Sequence, residues 1–483
     1  MSEVNDHEST VVNITERKIK KAEQQRDAAV EFTEVGAAEM FADCYATEIR
    51  YLSDRGTWMR FDGTHWVIDG SKGKTAQNHA TQCAIDLITG FEVEGNTQAA
   101  GHQKTMLRKR AIDSIVGLAA TYPQLSVRRD QLDADPYVIN TPGGIYDLRT
   151  AEKISDPDPD AFHTRVTAVA PDFESAAPMW GKFLNDVFQS DTDVIEYVQL
   201  LLGHALFGVQ LSQRVTIFMG DGENGKSELI GAIMGVLRCD ANGYATTASR
   251  GLLTSEPRED GAATPELCKL DGPRFAAAAE LNSNQKFNEN RLKSLCGDQQ
   301  DARPLYGDSY TFNPSASLFL GTNFEPKVGE GGHGFWRRIV KVPMDYVVPK
   351  EGRVNKIGDV MATEEGSQVL AWLMRGAVKY YEQGGFGDMP EAIKEATESY
   401  KLSTDSLARF VEDRCVLRQK GTQGASIKVS IFRDTYEAFC KEVGLDPIAP
   451  NQIGKRLMKE YPVGYTNKAR RNYDGIALAM ELE

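Results

Sequence analysis

No stretch of eighteen apolar residues occurs in the 483-residue sequence, so it offers no membrane-spanning helix. Its first residues, MSEVNDHEST, lack the basic-then-apolar order of a secretory leader, and the expected location is the cytoplasm. Cysteine is sparse and scattered: seven residues, an odd count, none at CxxC spacing, which argues against a zinc ribbon and against a disulfide framework. A basic excess is also missing. The net charge of −14 disfavours a protein coated in nucleic acid and leaves room only for local basic groups. Histidines 65, 79, 102, 163, 204 and 333 lie far apart without metal-ligand spacing and read as structural or surface residues. Residues 1–30 contain no aromatic side chain, and 1–32 reads as a flexible polar arm.

The length predicts two to four folding units. From about Phe32 the texture changes. GAAEMFADCYATEIRYL has helical apolar spacing, and TWMRFDGTHWVIDG reads as a hairpin turning at Asp62-Gly63. Helices are expected over Gln77–Phe91 and Lys104–Tyr122, and a second hairpin in YVINTPGGIYDLRT. Together these make an α+β N-terminal domain over 33–172. Residues 173–210, helical over Met179–Phe207, read either as a collar where subunits meet or as an ordinary packed helix pair. Strands and helices alternate through 211–350, 351–405 is helical, and 406–483 is a small α/β unit.

RVTIFMGDGENGKSELIGAIMGVL is the strongest signal. An apolar strand, Val215–Met219, runs into Gly220-Asp221-Gly222-Glu223-Asn224-Gly225-Lys226-Ser227, which fits GxxxxGK[ST] without a mismatch, and a helix follows. The glycines let the backbone turn tightly around phosphates, and loop N–H groups and the helix start hold the negative charge. Lys226 then reaches the β- and γ-phosphates of ATP, and the Ser227 hydroxyl ligates Mg²⁺. The alternative is a glycine-rich turn with no ligand.

Downstream, RFAAAA (Arg274–Ala279) reads as a buried strand ending at Glu280, a carboxylate placed to polarise water and support Mg²⁺, with Glu266 or Asp271 as possible helpers. SLFLGT (Ser317–Thr322) is a second such strand, ending in Asn323. Between them, Lys293 lies on a short helix, and Ala302–Tyr306 and Tyr310–Phe312 read as a hairpin around Gly307-Asp308, either a pore-lining device or a plain surface hairpin. Arg337 and Arg338 precede a further strand, either to reach a neighbour's ATP or to form a structural salt bridge.

In combination these residues resemble superfamily 3 helicases of the AAA+ class, and most of all the phage and plasmid helicase–primase family related to poxvirus-type NTPases. GDGENGKS resembles Walker A, AAAAE resembles Walker B with Glu280 in the acidic role, and LKSLCGDQQDARPLY is similar to motif B′. LFLGTN resembles motif C with Asn323 as sensor, and FWRRIVKVP resembles the arginine-finger segment, Arg338 preferred over Arg337. The resemblance implies an AAA+-like P-loop α/β ATPase core with an α+β N-terminal domain, a helical collar and a C-terminal winged helix. It further implies a ring, a hexamer, hydrolysing ATP between subunits and drawing single-stranded DNA past Lys293 and Arg303 in the 3′→5′ direction. Only a short arm precedes residue 33, so no primase domain is expected, and a separate primase or other replication proteins are expected partners. A viral source would place it in the host cytoplasm.

The C-terminal segment reads as two helices and a two-strand wing. Lys455, Arg456, Lys459, Lys468, Arg470 and Arg471 face one acid there, Glu460, which fits duplex DNA binding through phosphates. Two rival functions remain open: a small-molecule P-loop kinase or stand-alone NTPase, and an ATP-switched DNA-binding initiator or interference factor with little unwinding.

Overall fold

The computed structural model describes residues 33–70, 73–91, 93, 95–254, 263–278, 286–305, 307–328, 333–349, 354–466 and 471–479. The chain divides into two compact units, 1–173 with 236–244, and 174–235 with 245–483. Among the described residues no helix is long and apolar enough to cross a membrane.

The first unit opens with helix α1 (Glu34–Tyr45), capped by Thr33, whose side chain accepts from the Gly36 N–H. Strands β1 (Ile49–Leu52), β2 (Thr57–Phe61) and β3 (Trp66–Ile68) follow, then helices α2 (Thr75–Thr89), α3 (Thr97–Met106) and α4 (Lys109–Ala119), and strand β4 (Ser126–Val127). The sheet runs β3-β2-β1-β4, with β1 and β4 parallel and the other pairs antiparallel. The hairpin turns at Asp62-Gly63 as expected: Asp62 Oδ1 accepts from the N–H groups of Thr64 and His65, and Gly63 takes φ +100°. Phe41, Trp58, Leu87 and Ile115 fill the core between helices and sheet. A second, three-stranded sheet joins β5 (Val138–Thr141), β6 (Gly144–Asp147) and β7 (Lys153–Ser155).

Two expectations are corrected here. The helix expected over Lys104–Tyr122 is two helices, because Arg108 takes extended backbone at ψ 144° and ends the hydrogen-bond ladder. Residues 236–244, placed by sequence within the 211–350 domain, pack with the first unit: Val166 N–H donates to Asn242 O at 2.9 Å and Arg165 Nη1 to Gly243 O at 2.6 Å.

The second unit begins with α5 (Pro178–Val187) and α6 (Thr192–His204). The positive φ of Gln189 and Ser190 breaks the helical run, and Asp191 caps the second helix through the N–H groups of Asp193 and Val194. After these come β8 (Val215–Met219), α7 (Lys226–Val236), β9 (Ala245–Ala248), α8 (Arg250–Leu253), α9 (Pro265–Cys268), β10 (Phe275–Ala278) and α10 (Glu289–Leu295). The chain continues through β11 (Gln300–Ala302), β12 (Tyr310–Phe312), β13 (Ser317–Thr322), α11 (His333–Trp336) and β14 (Ile339–Pro343). Strands β14-β8-β13-β10-β9 form one sheet in that order, every neighbouring pair parallel. Such a sheet is buried on both faces, which accounts for the near-continuous apolar strands VTIFM, FAAA and SLFLGT. Phe218, Phe319 and Phe275 stack across three of them at 6.2 and 4.5 Å between ring centroids.

Helices α12 (Ile357–Glu364), α13 (Gly366–Glu382) and α14 (Glu391–Thr404) come next. Helix α13 lies against α6 with backbones in contact. A Cβ on Gly203 would stand 2.3 Å from Ala377 N, and one on Gly376 2.3 Å from Gln199 O. The chain ends in α15 (Ser406–Arg414), β15 (Cys415–Leu417), β16 (Ser426–Lys428), α16 (Val429–Val443), α17 (Pro450–Glu460), β17 (Gly464–Tyr465), β18 (Asn472–Asp474) and β19 (Ile476–Leu478). Gly444, at φ +70°, ends α16. Phe410, Phe432, Tyr436 and Leu457 form the core of this region.

Candidate nucleotide-binding site

Strand β8 delivers the loop 220–225 to the C-terminal edge of the sheet, and α7 leaves from it. That edge is where open parallel sheets bind ligands, and the N–H groups of a helix's first turn point back towards its start without intrahelical partners. The loop's shape depends on particular residues. Gly222 and Gly225 sit at φ +105° and +83°, and Glu223 joins them at +54°. Gly220 has no room for a side chain, since a Cβ would lie 2.1 Å from Met344 O, and at Gly225 it would meet Val187 at 2.8 Å.

Lys226 is 7 % exposed, and its Nζ donates to Gly220 O at 2.8 Å and to Asn224 Oδ1 at 2.9 Å. Asn224 is itself 2 % exposed. The loop thus encloses its own lysine, while Asp221, Glu223 and Ser227 face outward. Two backbone bonds brace the loop from the far side of β14: Met344 N–H to Met219 O at 2.7 Å and Val348 N–H to Glu223 O at 3.1 Å. Sequence gave no sign of this brace.

Strand β13 lies next to β8, with Thr322 opposite Met219, and Asn323 follows directly at the same edge as the loop. A Cβ on Gly321 would meet Ile230 at 3.0 Å, so this strand runs close under α7. Thr322 is fully buried and holds the turn, accepting from Phe324 N–H and donating to Phe324 O. Strand β10 begins at Phe275, a residue later than Arg274, which is buried and donates to Leu206 O. Glu280, the expected acid after this strand, lies outside the described residues, as do Lys468 and Arg470. Of the proposed Mg²⁺ donors, Ser227 alone falls within them, exposed at the loop's end.

Arg337 and Arg338 sit at the other end of the sheet. Arg338 O accepts from Val215 N–H, at the start of β8, and Pro343, beside the loop, lies five positions further along β14. At the usual rise per strand residue that is about 16 Å. Gln213 binds both arginines, through Arg337 Nη2 at 2.8 Å and Arg338 Nη2 at 2.6 Å. Arg338 also donates to Gly334 O, and its Nε is buried without a partner among the described residues. Burial and the charge of Arg337 lower the Arg338 pKa.

The hairpin after α10 differs from expectation. Gln300–Ala302, rather than Ala302–Tyr306, pairs with Tyr310–Phe312, because Pro304 has no N–H for the ladder. Tyr306 lies outside the described residues. Arg303 is exposed beside this hairpin and donates to Gly307 O at 3.3 Å.

Lys293, Lys455 and Lys459, remote in sequence, meet in one cleft of about 1100 Å³ between α10 and α17, with Arg337 also in its wall. Among the described residues no hydrogen bond or ion pair holds the ammonium groups of these three lysines. Arg456 is engaged otherwise. It donates to Asp405 and to Glu460; burial by itself lowers its pKa, but these hydrogen bonds and charges outweigh burial and leave it raised, and the pairing removes it from the free cations expected to grip DNA. Arg471 is exposed. Lys286 and Lys401, also in the wall, were not singled out by sequence, having no motif around them, and each carries its own acid, Asp446 and Glu398.

The class indicated by comparison with known proteins is that of large-DNA-virus helicases and primases, with which the chain shares homology. Residues 38–189 match the family described as "D5 N terminal like". "Putative helicase 184R" of Invertebrate iridescent virus 6 is 22% identical over 474 residues, covering 81% of this chain and 48% of its own. "Putative helicase 022R" of Frog virus 3 is 26% identical over 243 residues, 46% of this chain and 24% of its own. A protein of African swine fever virus named as a "Putative primase" is 24% identical over 306 residues, 59% of this chain and 31% of its own. The chain therefore spans half or less of the length of these relatives. Among solved structures, the apo C-terminal region of NrS-1 aligns with a TM-score of 0.48 and 13% identity over 89% of this chain and 96% of that one.

Proposed function

We propose that this chain is an ATP-driven DNA helicase of superfamily 3 acting in phage- or plasmid-type replication, a ring in which each ATP is hydrolysed between two subunits. The observation that carries this reading is the placement of loop and arginines at opposite ends of one strand pair, β8 and β14. An arginine about 16 Å from its own loop is positioned to serve a different one, as arginine fingers do. Lys226 and the loop N–H groups hold the triphosphate, Ser227 the Mg²⁺, Asn323 orients water against the γ-phosphate, and Glu280 takes the base role. The cleft lysines support a path for the DNA backbone, and the helix pair α16–α17 with strands β17–β18 supports a winged helix beside it.

Strand displacement on forked DNA, with ATP turnover measured with and without DNA, tests the proposal. The expected result is DNA-stimulated hydrolysis and unwinding, both lost in Lys226→Ala. Hydrolysis indifferent to DNA in a chain that stays monomeric with ATP would overturn it and favour the stand-alone NTPase. Tight duplex binding without unwinding would favour the initiator.

A further inference from the structure

The geometry points to a zinc-binding site in the first unit, held by Glu48, His79 and Cys83. His79 and Cys83 lie one turn apart on α2, so both side chains leave the same face of the helix. Glu48 comes from the turn between α1 and β1 and is fixed from both sides, its N–H donating to Tyr45 O and its carbonyl accepting from Phe61 N–H, each at 2.9 Å. These three side chains bring one carboxylate oxygen, one imidazole nitrogen and one sulfur within 4.8 Å of one another.

Cys83 Sγ stands 3.8 Å from His79 Nε2. In a tetrahedral site with a zinc–sulfur bond of about 2.3 Å and a zinc–nitrogen bond of about 2.0 Å, sulfur and nitrogen stand about 3.5 Å apart. A zinc ion fits with a few tenths of an ångström of adjustment. The donor types suit this metal: a thiolate and a carboxylate balance its charge, and an imidazole nitrogen completes the set.

A second observation points the same way. Tyr45 is 3 % exposed, and among the described residues its hydroxyl has no hydrogen-bond partner. A protonated hydroxyl in that place is a donor for a metal-bound thiolate or for the water in the fourth position. The bound ion would fasten α2 to the turn joining α1 and β1. Sequence spacing concealed the site because only the two helix ligands are close in the chain.

The test uses the full-length protein, incubated with zinc, dialysed, and analysed for metal. About one zinc per chain is expected. Removing one ligand in Glu48→Gln or His79→Gln should weaken zinc binding by about tenfold or more. Cobalt in place of zinc should give a sulfur-to-metal charge-transfer band that Cys83→Ser abolishes. Glu48→Gln guards against a Cys83 variant that fails to fold. A chelator should lower the melting temperature of the wild type and leave that of His79→Gln unchanged. Zinc well below one per chain, or content unaltered in the Glu48→Gln, Cys83→Ser double variant, would overturn the assignment and leave an ordinary sulfur–imidazole contact within a helix.

Discussion

Lys226 Nζ donates to the carbonyl oxygen of Gly220, six residues back along the chain, at 2.8 Å, with Asn224 Oδ1 as its other acceptor at 2.9 Å. The ammonium is thereby held at the centre of the loop. Lys226→Ala should reduce ATP turnover about 10²-fold or more, the scale of losing one preorganised charge-stabilising donor. Asn224→Ala should act through the lysine's position and cost less. Phosphate release under saturating ATP reads both, and wild-type rates in Lys226→Ala would discard the site.

Gly225 combines a left-handed backbone with a wall, Val187 and Phe183, on its Cβ side. Gly225→Ala therefore suffers twice. The backbone costs about 1–2 kcal/mol and the overpacking about 1–3 kcal/mol more. Gly222, also left-handed, faces open space, so Gly222→Ala should suffer only the first cost. Urea unfolding of the two variants compares them; equal stability would contradict the packing described at Gly225.

If ATP is shared between subunits, Lys226→Ala and Arg338→Ala damage different sides of one site. Each variant alone should be inactive, while an equimolar mixture contains interfaces with both residues intact and should regain a measurable fraction of wild-type turnover. An Arg338→Ala protein that hydrolyses normally, or a mixture no more active than its two inactive components, would remove the arginine from the site.

Among the described residues no hydrogen bond or ion pair holds the ammonium groups of Lys455 and Lys459, whereas Arg456 between them is tied to Asp405 and Glu460. Lys455→Ala and Lys459→Ala should each weaken DNA binding and lower the slope of log affinity against log salt by about one. Arg456→Met should instead destabilise, by about 1–3 kcal/mol, by leaving Asp405 half-buried and unpaired. Fluorescence anisotropy across a salt series, set against thermal melts, separates the outcomes; an Arg456 variant with full stability and lost DNA binding would reverse the assignment.

His204 is buried near the end of α6 between Tyr380 and Phe386, and burial, then Arg214, lowers its pKa from 6.5 to about 4. A depressed folded-state value means that unfolding takes up a proton between those limits. The stability from the neutral ring is complete above pH 6.5, falls as the pH drops towards 4, and is gone below it. The difference amounts to about 3 kcal/mol. His204→Phe should lose less stability than the wild type between pH 7 and pH 4.5, as denaturant midpoints will show. Parallel losses would refute the role of this ring.

The loop was legible because its chemistry is local: glycine spacing, a preceding apolar strand and a following helix lie within one short stretch. Ser317–Thr322 was legible for a related reason, since a strand buried on both faces reads as an unbroken apolar run. The failures are places where tertiary geometry decides. The break at Arg108 interrupts residues that look continuously helical, and Pro304 moved the hairpin by removing a donor that a tally of β-formers ignores. The Gln213 clamp, the brace from Val348 and the meeting of Lys293 with Lys455 and Lys459 join residues from 124 to 166 positions apart, which composition cannot reveal. Arg456 looked like its lysine neighbours in sequence and is distinguished only by Asp405, fifty-one positions earlier.

Strand β14 touches the loop at one end, through Met344 and Val348, and carries Arg337 and Arg338 just before the other. An edge strand hydrogen-bonded along its whole length to its neighbour, as β14 is to β8, transmits displacement with little bending. In the proposed ring this strand would act as a pushrod: a loop reshaped around its own nucleotide would shift Glu223, and the shift would pass along β14 to the arginines offered to the next subunit. Successive sites would then fire in order around the circle, each timed by the one before it, with no separate signalling element required.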